Sequence, residues 1–358
     1  MRLTRRSLLG RAAGVAIGAT GLGAMATGRA RAADSLRLMT WDGYATDEII
    51  AGFVKETGVA VNRTLISSNE EYMAKLAASA SDYDLVVIVT SFAQQAIKQR
   101  FVEPIDTGKL PNFKQLYPRF QDFAYWQRDG ATYGVPTYWG LVPVTVNADV
   151  IPDRNDFDLL FDPKYKGKIA MWDDLSTLAQ VARWMGFANI WNLSDEELGK
   201  VKAKLMEQRP LVRKYWDQAG ELVDLFASGE VVAAVSWDYV TQELLKKGFH
   251  VRQPAYQNAM AWADSHAVVR GTAKRDLAHA FIDYMISPAA QALIAKVNLY
   301  RVTNPAAKAE MDKLDPKLWG FLRMDEGGAQ LPATDFWDAI PRRAKYLEVW
   351  NEVKASAG

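Results

Sequence analysis

The sequence predicts an α/β fold of two lobes joined by crossing strands around a cleft. Three observations carry this expectation. Strand-like and helix-like segments alternate along the chain, the pattern of an open α/β sheet. The alternation starts afresh near Val142, with no Pro/Gly-rich linker to separate independent domains. Removing a leader of 32 residues from the 358 leaves about 326, enough for two lobes, with no cysteine to staple them.

Residues 1–32 read as that leader. Thr4-Arg5-Arg6-Ser7-Leu8-Leu9 is a twin-arginine export motif, followed by a moderately apolar stretch from Ala12 to Thr27. Ala30-Arg31-Ala32 then forms a small-residue cleavage site. The apolar stretch is interrupted by glycines and falls short of the roughly 20 residues needed to span a bilayer, so no stable membrane insertion is expected. The expected destination is the periplasm. The leader holds six arginines and no acid, so the mature chain carries 37 basic and 42 acidic residues, a net charge of −5. That balance disfavours nucleic acid, which selects a basic footprint. Three histidines without metal-binding spacing make a metal site improbable, and no cofactor motif is present.

In order along the chain, residues 35–41 read as a buried strand. Residues 47–56 show helical spacing through Ile49, Ile50, Phe53 and Val54. Residues 59–66 form a second strand, Asn69 caps a helix through Met73 and Leu76, and 84–88 is a third strand. The second set begins with strands at 141–146 and 169–171, followed by a long helix opened by Asp174. Amphipathic helices follow at 196–208 and 218–228, then a strand at 231–237 with Trp237 and Asp238 at its carboxyl end. Residues 259–264 run into a strand at 265–269, helices follow at 274–286 and 288–297, and 305–358 reads as helical and polar. Ligands in open α/β sheets bind beyond the carboxyl ends of strands. This places Trp41 and Tyr44 at a cleft.

Tryptophan and aspartate are paired too often for composition to explain. Trp41, Trp172, Trp216, Trp237 and Trp337 are each followed directly by aspartate, against roughly 1.4 such neighbours expected from composition alone. Trp262-Ala263-Asp264 is one residue looser. Indole faces attract cations and carboxylates supply counter-charge, so the enrichment suggests a pocket for an organic cation. The competing reading, for any single pair, is a core tryptophan beside a solvated or helix-capping aspartate.

Seven segments in order carry a resemblance. They are Trp41-Asp-Gly-Tyr44, Phe53-Val-Lys-Glu-Thr-Gly58, Tyr83-Asp-Leu-Val-Val87, Val135-Pro-Thr-Tyr-Trp-Gly140, Pro163-Lys-Tyr-Lys-Gly-Lys168, Ser228-Gly-Glu-Val231 and Trp262-Ala-Asp264. Together they resemble the periplasmic spermidine/putrescine-binding proteins of ABC importers. The resemblance implies a type II solute-binding fold, with lobe one at 34–140 plus 265–310 and lobe two at 141–264 plus 311–358. It implies a monomeric, non-enzymatic receptor that captures a small-molecule amine and delivers it to an inner-membrane ABC permease.

Carried over by position, the resemblance implies that Trp41 and Tyr44 line the cleft from lobe one. Asp174 would be a ligand carboxylate, Trp237 a tryptophan at a strand end, and Trp262 and Asp264 a stacking ring and an amine-binding carboxylate. Tyr300 would be a cleft tyrosine, and Asp338 falls at a polar cleft position. The departures bear on the ligand. Thr177 stands where the family has a second carboxylate, Ser91 where it has a tyrosine, Asp238 where an uncharged residue is usual, and Arg301 where a proline is. Asp238 and Asp338 are therefore expected to supply the missing negative charge. Tyr138 and Trp139 are expected in the core between the lobes, and Arg301 at the surface. An Arg301 facing the cleft would instead suit a zwitterionic amine. Trp and Asp also line glycan-cleaving clefts, so a secreted hydrolase is the rival from another class.

Overall fold

The computed structural model describes residues 35–154, 156–253, 260–325, 328, 331 and 334–356. The leader expected at 1–32 lies outside them. The first half of the described chain contributes β1 (Ser35–Trp41), α1 (Asp47–Thr57), β2 (Ala60–Ile66), α2 (Asn69–Ser79), β3 (Leu85–Val89), α3 (Thr90–Lys98) and β4 (Val102–Glu103). After a short helix α4 (Pro118–Gln121) and a small hairpin of β5 (Gln127–Arg128) with β6 (Ala131–Thr132) comes β7 (Val135–Val142). These segments form because their residues ask for it. Ile49, Ile50 and Phe53 put one apolar stripe of α1 on the sheet, and Gly58 ends the helix at φ +70, a left-handed geometry that costs a residue without Cβ nothing. β3 reads Leu-Val-Val-Ile-Val and is buried on both faces, as a central strand must be. Ser68, rather than Asn69, caps α2 by accepting the Glu71 N–H.

A single residue, Pro143, separates β7 from β8 (Val144–Asn147), and there the chain passes into a second sheet. That sheet gains β9 (Ile169–Trp172), α5 (Ser176–Trp184), α6 (Asp195–Gln208), β10 (Val212–Trp216), α7 (Ala219–Ala227), β11 (Ala233–Val235), α8 (Asp238–Lys246) and β12 (Val251–Arg252). The expected strand at 141–146 is thus two strands in two sheets, and the strand expected at 231–237 is confined to its central three residues. Proline cannot donate to a ladder, which is the physical reason the first of these is broken at Pro143.

The chain then returns to the first sheet with β13 (Met260–Val269), continues through α9 (Arg275–Met285), α10 (Pro288–Asn298), α11 (Lys308–Leu314) and α12 (Leu318–Phe321), and adds β14 (Asp335–Phe336) before the final helix α13 (Arg343–Ala355). The 305–358 region is therefore not wholly helical: β14 pairs in parallel with Met260 and Ala261 at the start of β13. The first sheet runs β14-β13-β3-β1-β2, with β7 and β4 also pairing on β13, and the second runs β10-β9-β11-β8-β12. In each, a parallel set is crossed by one antiparallel strand drawn from distant sequence, β13 against β3 and β8 against β11. β13 lies entirely in the first sheet, so residues 260–264 sit with β3 and β7. No described helix is long and apolar enough to cross a membrane.

Candidate functional site

Parallel strands direct their carboxyl ends to one edge, and the loops leaving those edges meet around a cavity of about 660 Å³. β1 delivers Trp41 and Tyr44, β3 delivers Ser91 and Phe92, β9 delivers Trp172 and Asp174, and β11 delivers Trp237. β13 adds Trp262 and Asp264 from its own length, and the segments after α10 and β14 add Tyr300, Trp337 and Asp338. Eight of the nine residues expected from sequence line this cavity: Trp41, Tyr44, Asp174, Trp237, Trp262, Asp264, Tyr300 and Asp338.

Asp264 is the best-defined group. It is buried in β13 opposite Val89 and Tyr138, at a point where a bulge shifts the β7 register. Bulges recur where a side chain must be re-aimed. One carboxylate oxygen, Oδ2, accepts a 2.6 Å hydrogen bond from the Tyr44 hydroxyl, while Oδ1 has no protein partner. Burial pushes the carboxyl up to about 7, and the Tyr44 bond opposes that only in part. Rings surround it. Tyr44 packs 4.0 Å from Tyr138 and meets Tyr300 edge-on at 5.7 Å, and Tyr300 meets Trp262 edge-on at 4.8 Å. A carboxylate short of a donor, boxed by aromatic faces, is the arrangement that receives an ammonium group.

Trp262 can stand in that box because its cross-strand partner is Gly140. A Cβ at Gly140 would lie 2.9 Å from the indole. Gly140→Ala is therefore expected to push Trp262 toward the cavity and weaken binding of an amine such as putrescine about tenfold, or 1.4 kcal/mol. Calorimetry on the variant checks this, and wild-type affinity would show that the ring has room to retreat.

The opposite wall is a run of tryptophans. Trp172 stacks on Trp337 at 5.0 Å and 17°, and Trp237 meets both Trp172 and Trp216 edge-on. Trp337 is held by its backbone N–H on Ala261, beside β13. Asp174 and Asp338 both have carboxyls raised above the usual range, first by burial. Asp174, two residues before the start of α5, also accepts the Ser176 N–H at 2.7 Å while lining the cavity. Arg343, at the start of α13, lines the same wall and acts on Asp174 electrostatically, holding its carboxyl lower than burial alone would. Asp173, by contrast, is structural: Lys354 and the Trp350 indole both bond it.

Two expectations are corrected. Asp238 does not line the cavity. Its Oδ2 takes the Arg301 guanidinium and the Leu141 N–H, and its Oδ1 takes the Gln253 amide at 2.9 Å, so its charge is already matched inside the protein. Arg301 is not at the surface either; its side chain is 3% exposed, and its backbone N–H bonds Trp139. Thr177, one of the family departures, turns away to bond the Trp172 carbonyl at 2.7 Å. Tyr138 and Trp139 are fully buried, and the Trp139 indole N–H bonds the Val302 carbonyl. Sequence reasoning did not single out Trp172, Trp337, Trp191 or Arg343 as lining residues. The first two belong to the tryptophan–aspartate pairs, where attention went to the acid; the others carry no sequence signal.

The chain is similar in sequence and fold to several known proteins. The Putrescine/agmatine-binding protein of Pseudomonas aeruginosa is similar, with 26% identity covering 94% of this chain and 97% of that one. The crystal structure of a spermidine/putrescine ABC transporter substrate-binding protein from Streptococcus pneumoniae superposes with a TM-score of 0.77 at 19% identity, covering 90% of this chain and 99% of that one. The Atu4243–GABA receptor superposes with a TM-score of 0.73 at 23% identity, covering 91% and 99%. These likenesses carry the type II solute-binding fold. Residues 48–318 match the family described as bacterial extracellular solute-binding protein, about three quarters of the sequence and parts of both sheets. It is to that family that this chain belongs.

Proposed function

We propose that the chain is a periplasmic receptor, exported by its twin-arginine leader, that captures a polyamine or related amine between its lobes and presents it to an inner-membrane ABC permease. The observation that carries this reading is Asp264, a buried carboxylate with one unpaired oxygen inside a box of Tyr44, Trp262 and Tyr300. An ammonium would supply the missing donor, and the rings would cover the adjoining methylenes. Asp174 and Asp338 add negative charge at the tryptophan wall for a second ammonium. The relative from Pseudomonas aeruginosa, named for putrescine and agmatine, supports the same class.

A second reading is a zwitterionic amine, and Arg343 is what favours it. The guanidinium that could meet a ligand carboxylate lies there and not at Arg301. One experiment separates the two. Melting temperature and calorimetry with putrescine, spermidine and a four-carbon ω-amino acid should show the diamine and triamine binding in the micromolar range or better, near −8 kcal/mol. Selective binding of the amino acid, lost in Arg343→Ala, would transfer the proposal to the zwitterion. Silence toward all three would remove the amine class.

A further inference from the structure

We infer that Asp238 and Arg301 are a positioning pair, an ion pair beside the crossing between the two sheets that sets the relative placement of two cavity rings. The pair is almost wholly enclosed, with side-chain exposures of 7% and 3%. Asp238 opens α8, which follows β11 of the second sheet; Arg301 follows α10, which packs on α1 over the first. Arg301 is pinned to the first sheet by its backbone bond to Trp139 on β7, and its guanidinium lies 5.8 Å from the Trp139 ring. Asp238 touches the chain on both sides of the lobe boundary. It accepts the Leu141 N–H two residues before Pro143, where the chain first crosses, and the amide of Gln253 on the return toward β13.

What makes this a matter of function is the neighbour on each side. Trp237 immediately precedes Asp238, and Tyr300 immediately precedes Arg301; both rings line the cavity, while neither charged residue does. Fixing Asp238 to Arg301 therefore fixes the backbone that carries two of the cavity's rings. A pair of buried opposite charges tolerates little displacement, because separation leaves each one desolvated without a partner. Both positions depart from the polyamine-binder pattern, and the structure shows the two departures to be one interaction. This inference rests on the amine reading for its ligand and on geometry alone for its mechanics.

The test is a double-mutant cycle on the full chain with putrescine as the probe, comparing wild type with Asp238→Asn, Arg301→Gln and both together. Each single substitution is expected to weaken putrescine at least tenfold. The double variant should bind no worse than the weaker single one, because it strands no charge. Arg301→Lys should recover part of the loss. Affinities within twofold of wild type in both single variants, even with a lowered melting temperature, would reduce the pair to a structural contact and overturn the inference; so would losses that simply add. If wild type does not bind putrescine, the amine reading fails, and small-angle scattering of the ligand-free proteins decides the positioning role. A larger radius of gyration in both single variants than in wild type supports it, and an unchanged radius overturns it.

Discussion

Asp264→Asn is expected to lower putrescine affinity by roughly thirtyfold or more. Removing one member of a buried, hydrogen-bonded charge pair costs about 2–5 kcal/mol, and each 1.4 kcal/mol is tenfold. The substitution keeps size and shape, so the Tyr44 hydroxyl retains an acceptor and the cavity keeps its walls. The same carboxylate gives binding a pH signature. With its carboxyl held near 7 in the ligand-free cavity, Asp264 is largely protonated below that pH. An ammonium pairs with the ionised form. Wild-type affinity should therefore fall as pH drops below 7, approaching tenfold per unit, and binding should release about half a proton near pH 7 and closer to a whole one at lower pH. Titration calorimetry in buffers of different ionisation enthalpy measures that proton, and Asp264→Asn should abolish both effects. A pH-independent affinity, or an Asn variant that binds like wild type, would take Asp264 out of the site.

The second large effect concerns the ligand-free protein and has the opposite sign. Asp264 has its folded-state pKa raised, from 3.8 to about 7, so between these values the folded chain holds a proton that the unfolded chain has lost. Folding stability from this group is intact below 3.8 and is lost progressively as pH rises toward 7, by about 4 kcal/mol for a three-unit shift. Asparagine carries no such burden. The stability advantage of Asp264→Asn over wild type should thus grow by about 2–3 kcal/mol between pH 5 and pH 8, measured by denaturant unfolding without ligand. Other carboxylates contribute equally to both proteins and cancel in the difference. A constant gap across that range would mean that Asp264 is hydrated in the free protein. A residue that weakens the empty receptor and strengthens the filled one is what a binding function asks of a side chain that packing alone would never select.

The fold was legible in the sequence wherever burial alone decides it. β1, β3, α1, α6 and the helices 275–285 and 288–298 carry apolar spacing that no tertiary context contradicts. What escaped was set by long-range pairing. β14 is two residues long and exists only because Met260 and Ala261 are there to receive it. The break at Pro143 lay in plain view, yet its meaning, a change of sheet, depends on two strands that sequence order does not reveal.

The site followed the same division. Trp41, Tyr44, Trp262, Asp264 and Tyr300 follow or occupy strands or helices whose ends the pattern located, and they line one cavity. Asp238 illustrates the failure. Its identity and its tryptophan neighbour both pointed to the cleft, but its carboxylate is taken up by Arg301, the Leu141 N–H and the Gln253 amide. The partner that claimed it, Arg301, stands 63 positions further along. Local pattern cannot see such a partner. Arg343 escaped for the converse reason: nothing in a charged C-terminal helix announces that its first turn closes a cavity.

The interleaving of the two sheets also bears on how the chain is made. A ribosome that has released β1, β2 and β3 has produced three parallel strands whose next neighbour, β13, begins roughly 170 residues later. At about 5–20 residues per second, that is a wait of the order of ten to thirty seconds. Throughout it, one edge of β3, a run of five buried apolar residues, has no strand to pair with. The first sheet in sequence is consequently the last to be finished: β13 joins it only after the second sheet has been synthesised, and β14 later still. For this polypeptide the vulnerable interval is synthesis itself, when a half-built sheet must be kept from pairing with another chain.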